Sequence, residues 1–310
     1  MNPDIDESLP DFETAQGALF EATGLEYESW FIELDRPSVR THVFQSGVRD
    51  SETPPLLFVH GTAAFGAFLA PLMRELVDYR LIGFDRPGHG LSGPYEFRPK
   101  SVRQTTVATV ESVLDELDLD VVDIVGHSMG AFAGIEFART HPERVRTLSL
   151  VGSIPMFPGT APPIPVRLSV TPIVRRFVER FQKSGEAGVL EISDIFGERE
   201  SIQEYPELIQ AIAAHEADTK SRAAGQSEFR SLMTLRGWRS SVKLRDAQLS
   251  ELQQPTAVVW GTHDPLGAPD DVRRGIELIP DVTFTTVEAG HMPFLSHPRT
   301  CAEAIRDISN

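Results

Sequence analysis

The chain has 310 residues, with 29 lysines and arginines against 45 aspartates and glutamates, and its formal net charge is −16. Proteins that bind nucleic acid need a basic face for the phosphates, so this balance argues against a nucleic-acid partner. The hydrophobic share of 41% and the charged share of 24% are ordinary for a globular protein and too apolar for intrinsic disorder.

The acidic charge is concentrated at the N-terminus. Residues 1–30 contain eight acidic side chains and no lysine or arginine, whereas residues 154–250 contain 13 basic and 12 acidic side chains and are nearly neutral. We interpret residues 1–27 as an acidic N-terminal extension and expect a solvated face or a mobile end there. A partner-binding arm is the alternative.

Cysteine usage and the first residues indicate the compartment. Cys301 is the single cysteine, so no internal disulfide can form, and residues 1–20 lack the basic-then-apolar order of a signal peptide. Residues 54–73 and 147–166 carry no formal charge, but prolines interrupt both stretches, which argues against membrane spans. We expect a soluble, cytoplasmic protein with no membrane partner; the oligomeric state is left open.

From residue 28 onward, short β-rich runs alternate with amphipathic helical patterns. The predicted strands cover residues 30–34, 40–45, 56–60, 80–85, 121–127, 145–151, 256–261 and 282–288. The predicted helices cover residues 68–77, 102–117, 130–140, 270–279 and 300–308. Apolar runs such as Leu56 to Val59 are typical of strands buried on both faces of a parallel sheet. The alternation indicates an α/β fold with a doubly wound sheet, built from residues 28–153 and 251–310.

Residues 154–250 interrupt this alternation. The segment opens rich in proline and then has helical patterns over 174–182, 207–217 and 227–236, without a strand pattern of comparable quality. Because it follows the sixth strand, we predict a helical insertion over the edge of the sheet that carries the active site. Residues 172–181 form a basic amphipathic stretch, which we interpret as part of this insertion rather than as a membrane-binding helix.

The strongest motif is the pentapeptide Gly126-His127-Ser128-Met129-Gly130, which has the pattern G-x-S-x-G. It follows a predicted strand and opens a predicted helix. A serine on such a sharp turn has a strained backbone, and the flanking glycines relieve the crowding. This context predicts that Ser128 is a nucleophile.

A serine hydroxyl needs a base to remove its proton. Asp264 follows the strand over 256–261, and His291 lies in the loop after the last strand. The chain order Ser128, Asp264, His291 is the order of an α/β-hydrolase triad, and each residue falls at the carboxyl end of a strand. We predict these three as the catalytic residues.

An oxyanion hole is the remaining part of such a site. Gly61 and Thr62 follow the strand over 56–60, at the position that supplies one backbone N–H group. The second N–H should come from Met129, the residue after the nucleophile. We therefore predict that Thr62 and Met129 contribute main-chain donors and that Gly61 lets the loop approach closely.

With these motifs the sequence resembles the cap-bearing α/β-hydrolase superfamily, which includes esterases, epoxide hydrolases, haloalkane dehalogenases and C–C bond hydrolases. The resemblance covers residues 28–153 and 251–310. It implies a mostly parallel eight-stranded sheet with helices on both faces, and it implies that residues 154–250 form a helical cap over the triad. Dehalogenases and epoxide hydrolases have an aspartate nucleophile, whereas position 128 is serine. The resemblance rests on His60-Gly61, Phe84 to Ser92, Gly126 to Gly130, Trp260 to Asp264 and Gly290-His291.

No cofactor or metal is expected. Gly88 to Gly93 fits the dinucleotide motif G-x-G-x-x-G, but Pro94 follows at once and no helix opens there. His42, His141 and His215 have no ligand-like spacing with carboxylates or with the cysteine.

We therefore predict a serine hydrolase that cleaves a small, largely apolar carboxylic ester through an acyl-enzyme. The alternatives are a C–C bond hydrolase with the same triad, for which Arg86 and Trp260 are candidate polar groups, a cofactor-free perhydrolase, and a ligand-binding receptor on a hydrolase scaffold. The predicted pocket walls are Gly61, Phe65, Met129, Phe157, Phe177, Met292 and Phe294.

Overall fold

A computed structural model describes residues 9–49, 53–171 and 183–309. Eight strands form one sheet in the order β1-β2-β4-β3-β5-β6-β9-β10. β1 and β2 pair antiparallel, as do β2 and β4, and all other neighbours pair parallel. The strands of this sheet are β1 (Tyr27–Asp35), β2 (Ser38–Gly47), β3 (Leu56–Val59), β4 (Arg80–Phe84), β5 (Val122–His127), β6 (Val145–Val151), β9 (Thr256–Gly261) and β10 (Val282–Val287).

Helices connect the strands and cover the sheet. Along the chain, α1 (Phe12–Thr23) precedes β1, α2 (Ala70–Met73) follows β3, α3 (Val102–Glu116) follows β4 and α4 (Met129–Thr140) follows β5. The segment between β6 and β9 contains α5 (Ile164–Ser169), α6 (Gly185–Ile195), α7 (Arg199–Ile202), α8 (Pro206–Ala217), α9 (Thr219–Leu232) and α10 (Asp246–Ser250), with the two-residue strands β7 (Met233–Thr234) and β8 (Gly237–Trp238). The chain closes with α11 (Pro269–Ile276), α12 (Pro293–Ser296) and α13 (Pro298–Ser309).

The central strand β3 explains why the sheet is buried on both faces. Its residues alternate between two hydrophobic clusters: Leu57 and Val59 pack with the cluster on the α3 and α4 face, and Leu56 and Phe58 pack with the cluster on the opposite face. Successive side chains of a strand point to opposite faces, so an uninterrupted apolar run serves both layers. All four side chains are at most 1% exposed.

Helix α1 differs from the solvated segment expected for the acidic N-terminus. Asp11 caps its first turn by accepting a hydrogen bond from the Thr14 N–H group at 2.9 Å, and Gly24 ends it in the left-handed region at φ 68°. These are ordinary helix start and stop signals. Phe12 and Phe20 are buried, and α1 packs against α8 and α2. The acidic side chains lie on the outer face, so the described part of this segment belongs to the packed fold.

We call residues 154–250 the insertion. Its predicted helix over 207–217 is observed as α8, while the predicted helix over 174–182 lies outside the described residues. The predicted helix over 227–236 was wrong at both ends: α9 begins at Thr219, capped by Asp218, and ends at Leu232, after which β7 and β8 form a short hairpin. This hairpin could not be predicted from the sequence, because strands of two residues have no detectable periodicity.

Within residues 9–49, 53–171 and 183–309, the helices are all too short or too polar to cross a bilayer. The uncharged stretch over 54–73 is divided between β3, a turn, a short 3₁₀ segment and α2.

Candidate active site

Ser128 sits at the junction of β5 and α4 in a strained backbone conformation, with φ 54° and ψ −116°. The neighbouring glycines are required by space. A Cβ atom at Gly130 would lie 1.8 Å from the Val59 carbonyl oxygen, and one at Gly126 would lie 2.5 Å from the Gly130 carbonyl oxygen. The turn therefore presses the start of α4 against the end of β3, and a strained serine at such a place indicates function rather than packing.

The three predicted catalytic side chains meet in the structure. The Nε2 atom of His291 lies 3.0 Å from the Ser128 hydroxyl oxygen, and its Nδ1 atom lies 2.9 Å from Oδ2 of Asp264. All three residues are at most 8% exposed. A carboxylate only accepts hydrogen bonds, so Nδ1 donates to Asp264 and Nε2 is left to accept the serine proton.

Asp264 is held as a carboxylate by several donors. The Leu266 N–H group donates to Oδ1 at 3.0 Å, and the Ser153 N–H group donates to Oδ2 at 3.1 Å. Burial alone would raise the pKa of Asp264, but His291 and these donors outweigh it, and the pKa is lowered. The Ser153 hydroxyl also lies 2.9 Å from Nδ1 of His291. Sequence reasoning did not identify Ser153, which has no motif around it.

His127 packs behind the turn. Its ring centroid lies 4.9 Å from that of His291, and its Nε2 atom donates to the His291 carbonyl oxygen at 3.1 Å. Burial, followed by the nearby His291, lowers the pKa of His127 to about 3. The ring therefore stays neutral at ordinary pH and supports the loop that carries His291.

The predicted oxyanion donors lie on two segments that touch. A Cβ atom at Gly61 would lie 3.1 Å from Cβ of Ser128, a tight contact, so glycine lets the loop after β3 pass close to Ser128. Thr62 is partly exposed beside it. Met129 opens α4, and the first N–H groups of a helix have no partner inside the helix.

The insertion contacts the histidine loop directly. The Phe196 carbonyl oxygen accepts a hydrogen bond from the His291 N–H group at 2.9 Å, and Oε1 of Glu198 accepts one from the Met292 N–H group at 2.7 Å. A Cβ atom at Gly290 would lie 2.1 Å from the Phe196 carbonyl oxygen. Glu198 is 1% exposed, and burial raises its pKa. A glutamate in a helical segment gave no sequence signal for this role.

The predicted pocket residues occupy different places. Phe294 lies 5.2 Å, ring to ring, from His127, and Met292 follows His291 directly. Phe65 is fully buried between Phe12 and the ring of His215 on α8, with centroids 4.9 and 5.4 Å away.

Two further pocket predictions have other outcomes. Phe157 packs into the core against Gly275 of α11, where a Cβ atom would come within 2.5 Å of the ring, so core packing explains its burial. Phe177 lies outside the described residues. Phe196, which has no sequence motif around it, places its ring 5.2 Å from that of His291, centroid to centroid, with the planes tilted by 30°.

The two polar groups considered for a C–C hydrolase are already engaged. Arg86 is 3% exposed and forms a buried ion pair with Glu228 of α9. The indole Nε1 of Trp260 donates to the Gly267 carbonyl oxygen at 2.9 Å, and its side chain is fully buried.

Comparison with known proteins shows the family of the chain. The sequence model of the alpha/beta hydrolase family matches residues 56–304. The chain belongs to the alpha/beta hydrolase family. Among its alpha/beta hydrolase relatives, the poly(3-hydroxyalkanoate) depolymerase of Ectopseudomonas oleovorans is 30% identical over 287 residues, with 89% of each protein covered.

Solved structures confirm the predicted fold. The carboxylesterase CesB (YbfK) of Bacillus subtilis superposes with a TM-score of 0.72 at 21% identity and covers 96% of each chain. The 2-hydroxy-6-oxo-6-phenylhexa-2,4-dienoate hydrolase of a Rhodococcus species superposes with a TM-score of 0.72 at 18% identity, covering 91% of this chain and 98% of that one. The α/β-hydrolase fold with a mostly parallel eight-stranded sheet is therefore confirmed, and the chain is a hydrolase with both esterases and C–C hydrolases among its structural neighbours.

Proposed function

We propose that this alpha/beta hydrolase cleaves a small, largely apolar carboxylic ester through an acyl-enzyme on Ser128. The observation that carries the proposal is the pair of hydrogen-bond distances around His291, 3.0 Å to the Ser128 hydroxyl and 2.9 Å to the Asp264 carboxylate. A nucleophile, a base and a group that orients the base, all within hydrogen-bond reach, are what acyl transfer requires.

The steps follow from these positions. His291 accepts the Ser128 proton through Nε2 while the hydroxyl oxygen attacks the ester carbonyl carbon. Asp264 keeps the Nδ1 proton in place and stabilises the imidazolium. The Thr62 and Met129 N–H groups bind the oxyanion of the tetrahedral intermediate. His291 then protonates the leaving alcohol, and a water molecule that gives its proton to His291 hydrolyses the acyl-enzyme. The reaction needs no cofactor, because the chain itself supplies every group.

We further propose that the insertion acts as a cap over this site, with Met292 and Phe196 as apolar walls. Phe65 and Phe294, also predicted as walls, have no exposed surface and belong to the packed core. The contacts of the insertion with the histidine loop support the cap role, because they bring insertion residues within hydrogen-bond distance of the base. An apolar enclosure favours an uncharged substrate, since a charged one would lose its hydration on entry.

An ester is favoured over a C–C substrate by the state of Arg86. A C–C hydrolase needs a polar group to stabilise the electrons left on carbon when the bond breaks, as an enolate. The Arg86 charge is already neutralised by Glu228, and Trp260 Nε1 already donates to a carbonyl oxygen. To contact a substrate, Arg86 and Trp260 would each have to break a buried interaction. Breaking a buried hydrogen bond or ion pair costs free energy, because the partner is left unsatisfied away from water.

The test is a panel of p-nitrophenyl esters from acetate to dodecanoate, run with the wild type and with Ser128→Ala. An oligomeric 3-hydroxyalkanoate ester belongs in the panel, because a relative of similar length is a depolymerase of that polymer. We expect kcat to be highest for one range of acyl lengths and to fall about ten thousand- to a million-fold in Ser128→Ala.

Four results would contradict the proposal. Hydrolysis that survives in Ser128→Ala would remove the mechanism. Turnover of a 2-hydroxy-6-oxo-dienoate without turnover of esters would make the chain a C–C hydrolase, and peroxyacid formation with hydrogen peroxide in place of hydrolysis would make it a perhydrolase. Stoichiometric ligand binding without turnover would make it a receptor.

A further inference from the structure

The carbonyl group of Gly61 is held by two donors from behind the candidate oxyanion loop. Nη1 of Arg86 donates to this oxygen at 3.1 Å, and Nδ1 of His60 lies 2.8 Å from it. The Arg86 backbone N–H group donates to Nε2 of His60 at 2.8 Å. An N–H group only donates, so Nε2 is the acceptor of the imidazole and Nδ1 carries the proton that it gives to Gly61.

His60 stays neutral in this arrangement. Its side chain is fully buried, and burial followed by the nearby Arg86 charge lowers its pKa well below the usual value. A neutral imidazole has one donor and one acceptor nitrogen, and both are used here. The Gly61 carbonyl is thus fixed by one neutral donor and one cationic donor.

The Gly61 carbonyl and the Thr62 N–H group belong to the same peptide unit. In a trans peptide the two groups lie in one plane and point in opposite directions. Donors that hold and polarise the carbonyl on one side therefore fix the direction of the N–H group on the other side and strengthen it as a donor. We infer that Arg86 is a positioning residue for the oxyanion hole, acting on the Thr62 N–H group through the Gly61 carbonyl. This inference rests on the proposed function.

The counter-ion of Arg86 comes from the insertion. Glu228 of α9 is fully buried, pairs with Nη2 of Arg86, and lies 3.4 Å from Nε2 of His89 through its other oxygen. Burial would raise the pKa of Glu228, but Arg86 and His89 lower it to about 2. An arginine charge at this depth needs a paired anion, so the oxyanion loop depends on a side chain of the insertion.

Helix α9 is also fixed to the loop that carries Arg86. Nζ of Lys220 donates to the carbonyl oxygens of Gly90 and Ser92, each at 2.7 Å. Helix α9 therefore supplies both a mechanical attachment to the oxyanion side of the site and the charge balance of Arg86.

The test compares Arg86→Met with the double variant Arg86→Met/Glu228→Met. The double variant removes both buried charges, and apolar replacement of a buried ion pair is often neutral for folding. We expect kcat to fall about 10- to 100-fold in both variants, with KM changed less than about threefold, because the donor is misdirected rather than deleted.

A trifluoromethyl ketone matched to the best acyl group supplies the decisive readout. It adds to the serine hydroxyl and places an oxyanion in the hole, whereas the corresponding methyl ketone binds without forming a stable adduct. We expect inhibition by the trifluoromethyl ketone to weaken by the same factor as kcat and inhibition by the methyl ketone to stay within about threefold.

The matched control is Arg103→Met/Glu136→Met. Arg103 forms a comparable ion pair with the buried Glu136 and donates to the Val242 carbonyl oxygen at 2.8 Å, so it also ties the end of the insertion to the core. This control should leave kcat and both inhibition constants near the wild-type values.

Two outcomes would overturn the inference: wild-type kcat in a folded double variant, which would limit Arg86 to neutralising Glu228, or equal weakening of both ketones, which would indicate general damage. A wild type that neither hydrolyses esters nor binds the trifluoromethyl ketone would instead contradict the proposed function itself.

Discussion

The two sides of the candidate site are built in different ways. On the histidine side, side chains contact side chains: His291 lies within hydrogen-bond distance of both Ser128 and Asp264. On the proposed oxyanion side, the groups expected to bind the oxyanion are main-chain N–H groups, and the side chains of His60 and Arg86 contact the Gly61 carbonyl oxygen from behind the loop.

The insertion reaches both sides with a buried glutamate. Glu198 accepts a hydrogen bond from the peptide after His291, and Glu228 neutralises Arg86 behind the oxyanion loop. The insertion therefore contacts both sides, and the two sides differ in the kind of chemical group that each presents. Sequence motifs point to the candidate groups on both sides, whereas the place of Arg86 behind the proposed oxyanion loop is visible only from its contacts.

The largest effect is expected from Asp264→Asn on the histidine side. An amide at this position can present an N–H group to Nδ1, which would move the imidazole proton to Nε2 and leave no acceptor for the Ser128 proton. We expect kcat for the best ester to fall about ten thousand-fold in a protein that still folds, with a lower melting temperature because one buried donor loses its carboxylate acceptor. The control is Asp270→Asn, whose side chain is 93% exposed. A loss below about tenfold would mean that another carboxylate, with Glu198 the first candidate, orients the base.

A smaller effect is expected where the insertion holds the histidine loop. Glu198→Ala leaves the Met292 N–H group buried without its acceptor, which costs about 1–3 kcal/mol and lets the loop shift. We expect kcat to fall about tenfold. Glu198→Gln retains an acceptor and should restore most of the rate.

The control for this pair of variants is Glu200→Ala, at an exposed residue of α7, the helix that Glu198 directly precedes. If Glu198→Gln were as slow as Glu198→Ala, the negative charge rather than the hydrogen bond would be the feature that matters. If both variants matched the wild type, the insertion would not support the base.

The smallest effect concerns stability on the oxyanion side. His215 of α8 packs beside Phe65, and burial followed by the nearby His89 lowers its pKa to about 3 from an ordinary value of 6.5. Between these values the unfolded chain binds the proton and the folded chain does not, so stability rises with pH and falls as pH drops below 6.5. The slope for one such histidine is at most about 1.4 kcal/mol per pH unit.

His215→Phe should therefore make the melting temperature fall less steeply from pH 7 to pH 5, measured by circular dichroism or calorimetry. Some slope should remain, because His127 on the histidine side behaves in the same way. His263→Phe, at a residue whose side chain is 67% exposed, is the control and should keep the wild-type slope. An unchanged slope in His215→Phe would mean that His215 is protonated or exposed in the folded protein.

The positions of the strands along the chain and the placement of Ser128, Asp264 and His291 at strand ends could be predicted from the sequence. Buried parallel strands have apolar runs of distinct length, and the G-x-S-x-G turn has a steric requirement that shows in its glycines. These features are local, so they can be read from neighbouring residues.

The contacts of the insertion could not be predicted in this way. Glu198 and Glu228 look like ordinary helix-surface glutamates, and only the tertiary structure brings them to Met292 and Arg86. Arg86 is a candidate polar group for a C–C hydrolase on sequence grounds, and its ion-pair partner Glu228 lies 142 residues away along the chain, where no local pattern reveals it.

Two helices that the sequence predictions missed or misplaced, α1 and α9, do have local sequence signals at their ends. Asp11 and Gly24 bracket α1, and Asp218 caps α9 with hydrogen bonds to the N–H groups of Lys220 and Ser221. An aspartate before a helix and a glycine after it are sequence-readable. Asp11 and Gly24 therefore predict a helix between them, where the acidic composition alone suggests a solvated segment.

The central claim is that Ser128 is the nucleophile of this alpha/beta hydrolase, and covalent trapping tests it most directly. The protein is treated with a fluorophosphonate and digested, and the adduct is located by peptide mass spectrometry. We expect one adduct, on Ser128, which forms more slowly in Asp264→Asn and is absent in Ser128→Ala. An adduct on another residue such as Ser153, or ester hydrolysis that continues without any adduct on Ser128, would contradict the account.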